Sequence, residues 1–309
     1  MFSRILVPTD FGGPSEAAIE YARMLARTFG GSLQLLHVLD NVFLRPVVGD
    51  PHALEDAVLK RLHDRFTDED RKALHATAAV ERSDEPADEI VSYVRTTETD
   101  LLVMGTHGRT GVAHLLLGSV AEKVVRTAPC PVLTARERPP AAFAGFTRIL
   151  VPTDFSAPSD AALDCAKLIA LRFGASVHLL HVLEDALVEG PFGSEVFLAE
   201  SPDARAARFK DARERLSHRV TAYDRERMHA TSEVIFGATA RTIADYAADN
   251  DFDLIVMGTH GRTGIAHLLM GSVAERVVRN AACPVITTHS PLACAGVRVA
   301  AGGHVALTA

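Results

Sequence analysis

Residues 101–119 read Leu-Leu-Val-Met-Gly-Thr-His-Gly-Arg-Thr-Gly-Val-Ala-His-Leu-Leu-Leu-Gly-Ser, and this stretch decides the fold expected for the chain. An apolar run, a glycine-containing loop and a helix-like segment follow one another in it. Glycines acquire a phosphate-binding meaning in this strand, loop and helix context. The same stretch returns almost unchanged at residues 254–272, so the sequence predicts two copies of one ligand-binding loop.

The duplication extends beyond the loop to whole domains. Residues 4–11, Arg-Ile-Leu-Val-Pro-Thr-Asp-Phe, are identical to residues 148–155. The predicted organisation is a first domain over 1–136, a linker over 137–146, a second domain over 147–289 and a tail over 290–309. The second copy is nine residues longer between its two motifs, and an acidic loop within 184–204 is expected to hold the additional residues.

Short apolar strands alternate with helix-like segments in each copy. In the first copy, strands are predicted at 4–8, 32–38, 77–81, 101–104 and 131–134, with helices from Pro14, within 53–74, from Pro86 and from Ser119. Continuous apolar strands joined by helical crossovers indicate parallel sheets covered on both faces. The predicted fold class is α/β, with two tandem doubly wound domains.

Composition excludes several classes of function. The hydrophobic share of 48% and the charged share of 23% are typical of a soluble globular protein, and no apolar run is long enough to span a membrane. A strand-like segment close to Met1 argues against a secretory signal, so a cytoplasmic location is expected. A net charge of −7 without a dense basic patch argues against nucleic-acid binding. The spacing of the four cysteines and of the histidines predicts neither a disulfide framework nor a metal site.

Candidate binding residues follow the strands. In open parallel sheets, ligands bind beyond the carboxyl ends of the strands, where the strand order reverses. Asp10 and Gly105 both leave strands at that end, and they are expected to meet in one crevice. The Asp10 carboxylate, like that of Asp154, can accept hydrogen bonds from ribose hydroxyls or an adenine amine. The alternative is an Asx turn or a helix N-cap, and the sequence leaves both open.

The glycine loop offers backbone donors to phosphate. Gly108 allows close approach and positive φ, and Gly118-Ser119 begins a helix whose first N–H groups carry partial positive charge. Ser119 with Glu122 also fits a capping box, which is compatible with phosphate binding. Thr106, Thr110 and His114 are hydrogen-bonding candidates, and Arg109 is either a phosphate ligand or simply solvated; His107 is interpreted as a loop-packing residue rather than a general base. The second copy repeats these residues.

The spacing Gly-x2-Gly-x9-Gly-Ser after a Leu-Val-Met-Gly strand, with the Val-Pro-Thr-Asp start, resembles the universal stress protein family over residues 2–135 and 147–289. The resemblance implies five-stranded parallel sheets of the Rossmann-like, adenine nucleotide alpha hydrolase-like type, and ATP binding, with Mg²⁺ held through the phosphates. It also implies pairing of residues 131–134 with 284–287, so that the tandem chain is similar to a covalent dimer; a homodimer of the whole chain stays open. By the resemblance, the first ATP site comprises Pro8, Thr9, Asp10, Val38, Met104, Gly105, Gly108, Arg109, Gly118, Ser119 and Val120, and the second Pro152, Thr153, Asp154, Val182, Met257, Gly258, Gly261, Arg262, Gly271, Ser272 and Val273.

Three functions are compatible with these patterns. The leading hypothesis is a regulatory, stress-response protein that senses ATP at one site per domain. A slow ATPase or phosphotransfer enzyme is the second, although neither loop has the Lys-Ser/Thr of a Walker A motif. The third is a structural interaction protein with empty sites. The loops are nearly identical whereas the long helices predicted around 53–74 and 203–228 share little, which favours two working sites. The two halves differ where Gly237 of the second aligns with Asp84 of the first. This difference is expected to alter a turn that lies outside the glycine loop.

Overall fold

The computed structural model describes residues 2–40, 51–106, 117–136, 139, 143–184, 187–189, 195–197, 201–259 and 270–288. The first copy alternates strands and helices from its start. Its elements are β1 (Arg4–Pro8), α1 (Gly13–Phe29), β2 (Ser32–Leu39), α2 (Pro51–His63), α3 (Asp68–Ala73), β3 (Thr77–Arg82), α4 (Pro86–Thr96), β4 (Leu101–Gly105), α5 (Ser119–Thr127) and β5 (Val132–Ala135).

The second copy repeats this order and adds a two-stranded antiparallel ribbon, where the sequence predicted only a loop. Its elements are β6 (Arg148–Pro152), α6 (Ala157–Phe173), β7 (Ser176–Leu183), β8 (Leu187–Glu189), β9 (Glu195–Phe197), α7 (Pro202–Ser217), α8 (Ala222–Met228), β10 (Thr231–Phe236), α9 (Thr239–Asp249), β11 (Leu254–Gly258), α10 (Ser272–Asn280) and β12 (Val285–Thr288).

Each half is a five-stranded parallel sheet, which confirms the predicted doubly wound α/β class. The strand order is β3-β2-β1-β4-β5 in the first half and β10-β7-β6-β11-β12 in the second. The order reverses between β1 and β4 and between β6 and β11, the places where such sheets bind ligands. β5 and β12 pair antiparallel, with Leu133 opposite Ile286, so the ten strands form one continuous sheet.

Apolar layers cover both faces of this sheet. On one face, α1 and α6 contribute Leu25 and Ile169 to a cluster that also contains Val103 of β4. On the other face, α4 and α5 contribute Ile90 and Val124. The strands are buried on both sides, which explains why they read as continuous apolar runs instead of alternating ones.

An aromatic cluster joins the two halves at the end of the predicted linker. Phe146 is 1% exposed, and its ring packs on Tyr21 of α1 and on Phe173 of α6, at 6.2 and 5.5 Å between ring centroids. Phe143 packs on both Tyr21 and Phe146. Two aromatic residues of the segment expected to be a linker therefore pack in the core or against it. Residues 137, 138 and 140–142 lie outside the described residues.

The long helix predicted within 53–74 is two helices, α2 and α3, and the prediction of one element is corrected. Thr67 begins α3 with a capping box, in which its hydroxyl accepts from Asp70 N and the Asp70 carboxylate accepts from Thr67 N. The same break separates α7 from α8 at Thr221 and Asp224. A capping box stabilises the start of a second helix with its own axis. The polar pattern of the sequence continues across the capping residues, so periodicity alone does not reveal the break.

The alignment of Gly237 with Asp84 is also corrected. Ser83 N–H donates to the carbonyl of Leu39, and Gly237 N–H donates to the carbonyl of Leu183, both at 3.0 Å. Gly237 therefore corresponds to Ser83. The second half has ten additional residues before α7 and one fewer before α9, which gives the net difference of nine.

Within the described part of the chain, no helix has both the length and the apolar character needed to cross a membrane. The tail over 290–309 lies outside that part.

Candidate functional site

A cavity of about 350 Å³ opens at the carboxyl ends of β1 and β4, where the strand order reverses. Its volume is in the range of small-molecule sites. The structure brings together nine of the predicted residues there, and the cavity is lined by Pro8, Thr9, Asp10, Val38, Met104, Gly105, Gly118, Ser119 and Val120. Gly108 and Arg109, with His107, Thr110 and His114, lie outside the described residues.

An equivalent cavity of about 430 Å³ opens at the ends of β6 and β11. The predicted residues that line it are Pro152, Thr153, Asp154, Val182, Met257, Gly258, Gly271, Ser272 and Val273. Gly261 and Arg262, with His260, are outside the range that the structure describes. The duplication in sequence is therefore matched by two cavities of similar construction.

The Asp10 carboxylate faces the first cavity and organises the turn that leads into α1. It accepts hydrogen bonds from Gly12 N, at 2.9 Å, and from the Ser15 hydroxyl. Asp154 accepts in the same way from Ser156 N, at 3.0 Å, and from the Ser156 hydroxyl. The Asx turn considered from the sequence is thus present in both halves, whereas the helix N-caps are Gly12 and Ser156. A carboxylate in this place lines the cavity while it holds the turn.

A phenylalanine in left-handed conformation follows each of these aspartates. Phe11 has φ 64° and Phe155 has φ 68°, values that are unusual and costly for a bulky side chain. The Phe155 ring lies 4.3 Å from the His181 ring, and the Arg215 guanidinium lies 4.1 Å from the centroid of the Phe155 ring. Phe11 lies between His37 and Arg61 in the same way. These contacts compensate the backbone strain.

His37 and His181 line the cavities, although they are not among the residues predicted for the two sites. Their Nδ1 atoms lie 2.7 Å from the carbonyl oxygen of Thr9 and 2.6 Å from that of Thr153. A carbonyl only accepts, so Nδ1 carries the proton. In the sequence, these two histidines occupy the same position near the end of the second strand of each half, and this repetition could have identified them.

The helices that end each cavity begin without a side-chain cap. Gly118 is the N-cap of α5, and Gly271 is the N-cap of α10; neither helix has a side-chain capping bond. The predicted capping box at Ser119 and Glu122 is therefore wrong, because Ser119 is the first helical residue. With φ −62° and ψ 142°, the backbone of Gly118 suits any residue. The lack of a side chain leaves the first N–H groups of a nine-residue helix directed at the cavity.

Gly105 and Gly258 have a packing role. A Cβ atom on Gly105 would lie 2.7 Å from Pro14, and one on Gly258 would lie 2.9 Å from Pro158. These glycines allow the start of α1 and of α6 to approach the strand that forms the cavity floor. Their presence in the glycine motif is thus explained by helix packing, even though both also line the cavities.

Thiol and metal chemistry find no support among the described residues. Burial raises the pKa of both Cys130 and Cys283 to about 12, so these thiols are protonated at neutral pH. In the same part of the chain, no group of three or more His, Cys, Asp and Glu side chains could hold a metal ion. The arrangement instead offers an apolar slot with a carboxylate at one point and free helix N–H groups at another.

A family model described as "Universal stress protein family" matches residues 1–136 and 145–289. A universal stress protein of Methanocaldococcus jannaschii is 30% identical over 148 residues, which cover 44% of this chain and 84% of that protein. A universal stress protein of Synechocystis is 25% identical over 309 residues, which cover 92% of this chain and 98% of the relative.

The crystal structure of a universal stress protein from Archaeoglobus fulgidus is similar over 94% of this chain and 99% of its own, with a TM-score of 0.66 and 22% identity. At that level of identity, the similarity shows the shared fold.

Proposed function

Since the chain belongs to the universal stress protein family, we propose that it is a regulatory nucleotide-binding protein that holds one ATP molecule in each half. The observation that carries this proposal is the uncapped start of α5 and of α10 at the two cavities. A helix N-terminus with free N–H groups is a ready-made anion site. Its occurrence in both halves supports phosphate binding over an incidental helix end.

The dimensions and polarity of each cavity are also suitable for the ribose and the base of a nucleotide. In the first half, Asp10 lies at the end of β1 and can accept from ribose hydroxyls. Val38 lies next to the last residue of β2, on the other side of β1 from β4, and its neighbourhood is apolar enough for a base. In this proposal the phosphates lie over Gly118 and Ser119, and the family resemblance adds Gly108 and Arg109 to the phosphate site. Any Mg²⁺ would be held through phosphate oxygens.

The proposal assigns the chain a binding role in the stress response instead of rapid turnover. The amides at the helix start stabilise phosphate charge, but an ATPase also needs a group that positions water. The proposed regulation uses the intramolecular pairing of β5 with β12, which joins the two sites through one sheet. A cytoplasmic location is part of the same proposal.

Replacement of Gly118 by aspartate tests the first site. Asp is a favourable N-cap, so α5 should be retained, but its carboxylate occupies the amides and repels phosphate. Each lost bond to a charged group costs about 1.5–3 kcal/mol, so the affinity should fall by about a hundredfold or more. Titration calorimetry should then report one ATP per chain instead of two. Gly118→Asn, with the same shape and no charge, should weaken binding less.

Gly271→Asp provides the matched variant for the second site. The double variant should bind no ATP while its circular dichroism and melting temperature stay close to those of the original protein. Two sites that persist in a folded double variant would contradict the proposed location.

A further inference from the structure

The two cavities differ at the end that lies farthest from the uncapped helices. The second cavity is lined by Leu183, Glu184 and Arg208 in addition to the residues shared with the first. Thr67 corresponds to Thr221 by their capping boxes, and this register places Leu54 of α2 opposite Arg208 of α7. No arginine or lysine is among the described residues that line the first cavity.

Arg208 is held at the end of β7 by contacts with its surroundings. Its Nη2 atom donates to the carbonyl oxygen of Glu184 at 2.9 Å. The Glu184 carboxylate in turn accepts from Thr239 N, at 3.3 Å, and from the Thr239 hydroxyl. Thr239 is the first residue of α9. Strand β7, helix α7 and helix α9 therefore meet around this guanidinium.

This guanidinium is at the opposite end of the cavity from the proposed phosphate position. In the sheet order, β6 lies between β7 and β11. Neighbouring strands are about 4.8 Å apart, so the end of β7 is roughly 10 Å from the end of β11. A nucleotide with its phosphates at Gly271 and Ser272 would direct its base toward β7, where Arg208 lies.

The surroundings of Arg208 also differ in charge from the first half. There, Glu55 of α2 forms an ion pair with Arg82 of β3. At the equivalent positions, Phe209 and Phe236 stack at 6.1 Å, and the Arg205 guanidinium lies 3.8 Å from the centroid of the Phe236 ring. The insertion before α7 thus accompanies a change from an ion pair to an aromatic and cationic cluster between α7 and β10, beside the residue Arg208 that lines the cavity.

We infer that Arg208 makes the second site selective for guanine nucleotides relative to the first site. The inference rests on the proposed nucleotide function. A guanidinium fork matches the two acceptors of guanine, O6 and N7, whereas adenine presents one acceptor beside an amino donor on the same edge. Leu54 occupies the equivalent position in the first half, and the described residues that line that cavity include no arginine or lysine, so the first site should not share this selectivity for guanine.

The test compares ATP and GTP at each site separately. In the Gly118→Asp variant only the second site should bind nucleotide, and in the Gly271→Asp variant only the first. Titration calorimetry of each variant gives the affinity of its remaining site for ATP and for GTP. The ratio of GTP to ATP affinity should be about tenfold or more higher at the second site, since one bidentate contact discriminates bases to that degree. Arg208→Leu in the Gly118→Asp background should reduce that ratio to the value of the first site.

Two further variants exclude a purely structural effect. Arg208→Lys keeps the positive charge without the fork, and it should lose most of the GTP preference while ATP affinity changes little. Leu54→Arg in the Gly271→Asp background should raise the GTP to ATP ratio of the first site. Equal ratios at both sites, or a ratio that Arg208→Leu leaves unchanged, would overturn the inference. Absence of binding of either nucleotide to the original protein would instead refute the proposed function.

Discussion

At the scale of the residue, the left-handed phenylalanines beside the two aspartates are the least expected feature. Nothing in the motif Pro-Thr-Asp-Phe announces a φ of 68° at Phe155, which is a conformation that favours glycine. Phe155 as a residue is 9% exposed, and its ring lies between His181 and Arg215. Packing of the side chain therefore offsets the free-energy cost of the left-handed backbone conformation. Substitutions can separate these two effects.

We expect Phe155→Gly to be more stable than Phe155→Ala. Both variants lose the ring, but alanine retains the left-handed strain, which costs about 1–2 kcal/mol, whereas glycine does not. The free energy of unfolding, measured with urea, should favour glycine by about 1 kcal/mol. At the exposed helical position Ala206, substitution by glycine should have the opposite sign. The same order at both positions would contradict the strained conformation.

At the scale of the element, capping residues divide what reads as one long helix. Thr221 and Asp224 form the box that begins α8, and the Lys167 ammonium of α6 donates to Asp224 at 2.7 Å. Burial acts to raise the pKa of Asp224, but hydrogen bonds from Lys167 and Thr221 outweigh it and lower that pKa. The ionised carboxylate is thus the form that stabilises the helix start.

We expect Thr221→Ala to lower the free energy of unfolding by about 1 kcal/mol at pH 7, because a donor at the start of α8 loses its partner. Thr221→Ser should retain the hydroxyl and most of the stability. Since the Asp224 pKa is depressed in the folded state, the stabilisation is present above the ordinary aspartate pKa of about 3.9 and is lost as the pH falls through the folded value. Urea titrations at pH 7 and pH 3 should show a smaller effect of Thr221→Ala at the lower pH. A pH-independent cost would contradict this account.

At the scale of the whole molecule, two structures tie the halves together. One is the antiparallel pair β5 and β12, and the other is the aromatic cluster around Phe146. Phe2, the equivalent of Phe146 in the first half, packs on Phe29, and Phe29 contacts Phe173 across the junction at 6.2 Å. The cores of the two halves are continuous there, so unfolding of one half should expose buried apolar side chains of the other half to water.

We expect Phe146→Ala to destabilise the protein by about 3–5 kcal/mol, the usual cost of removing a buried phenylalanine. Hydrogen exchange followed by mass spectrometry should show faster exchange in both β1 and β6, because the ring contacts α1 and α6 together. The matched comparison is Val94→Ala, a buried change within the first half alone. Faster exchange confined to the second half in Phe146→Ala would show that the halves unfold independently.

The sequence by itself determined the class of fold, the duplication and about half of the residues that line the two cavities. These features depend on local periodicity and on short motifs, whose residues are close together in the chain. Strand Leu101–Gly105 is apolar throughout because it is buried on both faces. Asp10 directly follows the strand that places it at the cavity. Such information survives without knowledge of distant contacts.

Only the tertiary structure decided which distant residues meet. The packing of Phe146 against Tyr21, the place of His37 beside Thr9, and the arrival of Arg208 at the second cavity all join segments that are far apart in the chain. The uncapped start of α5 belongs to the same group, since Ser119 could have been a cap or a helical residue until the helix packed. The energy that chooses between such alternatives comes from burial and from hydrogen bonds between elements, which local sequence patterns do not contain.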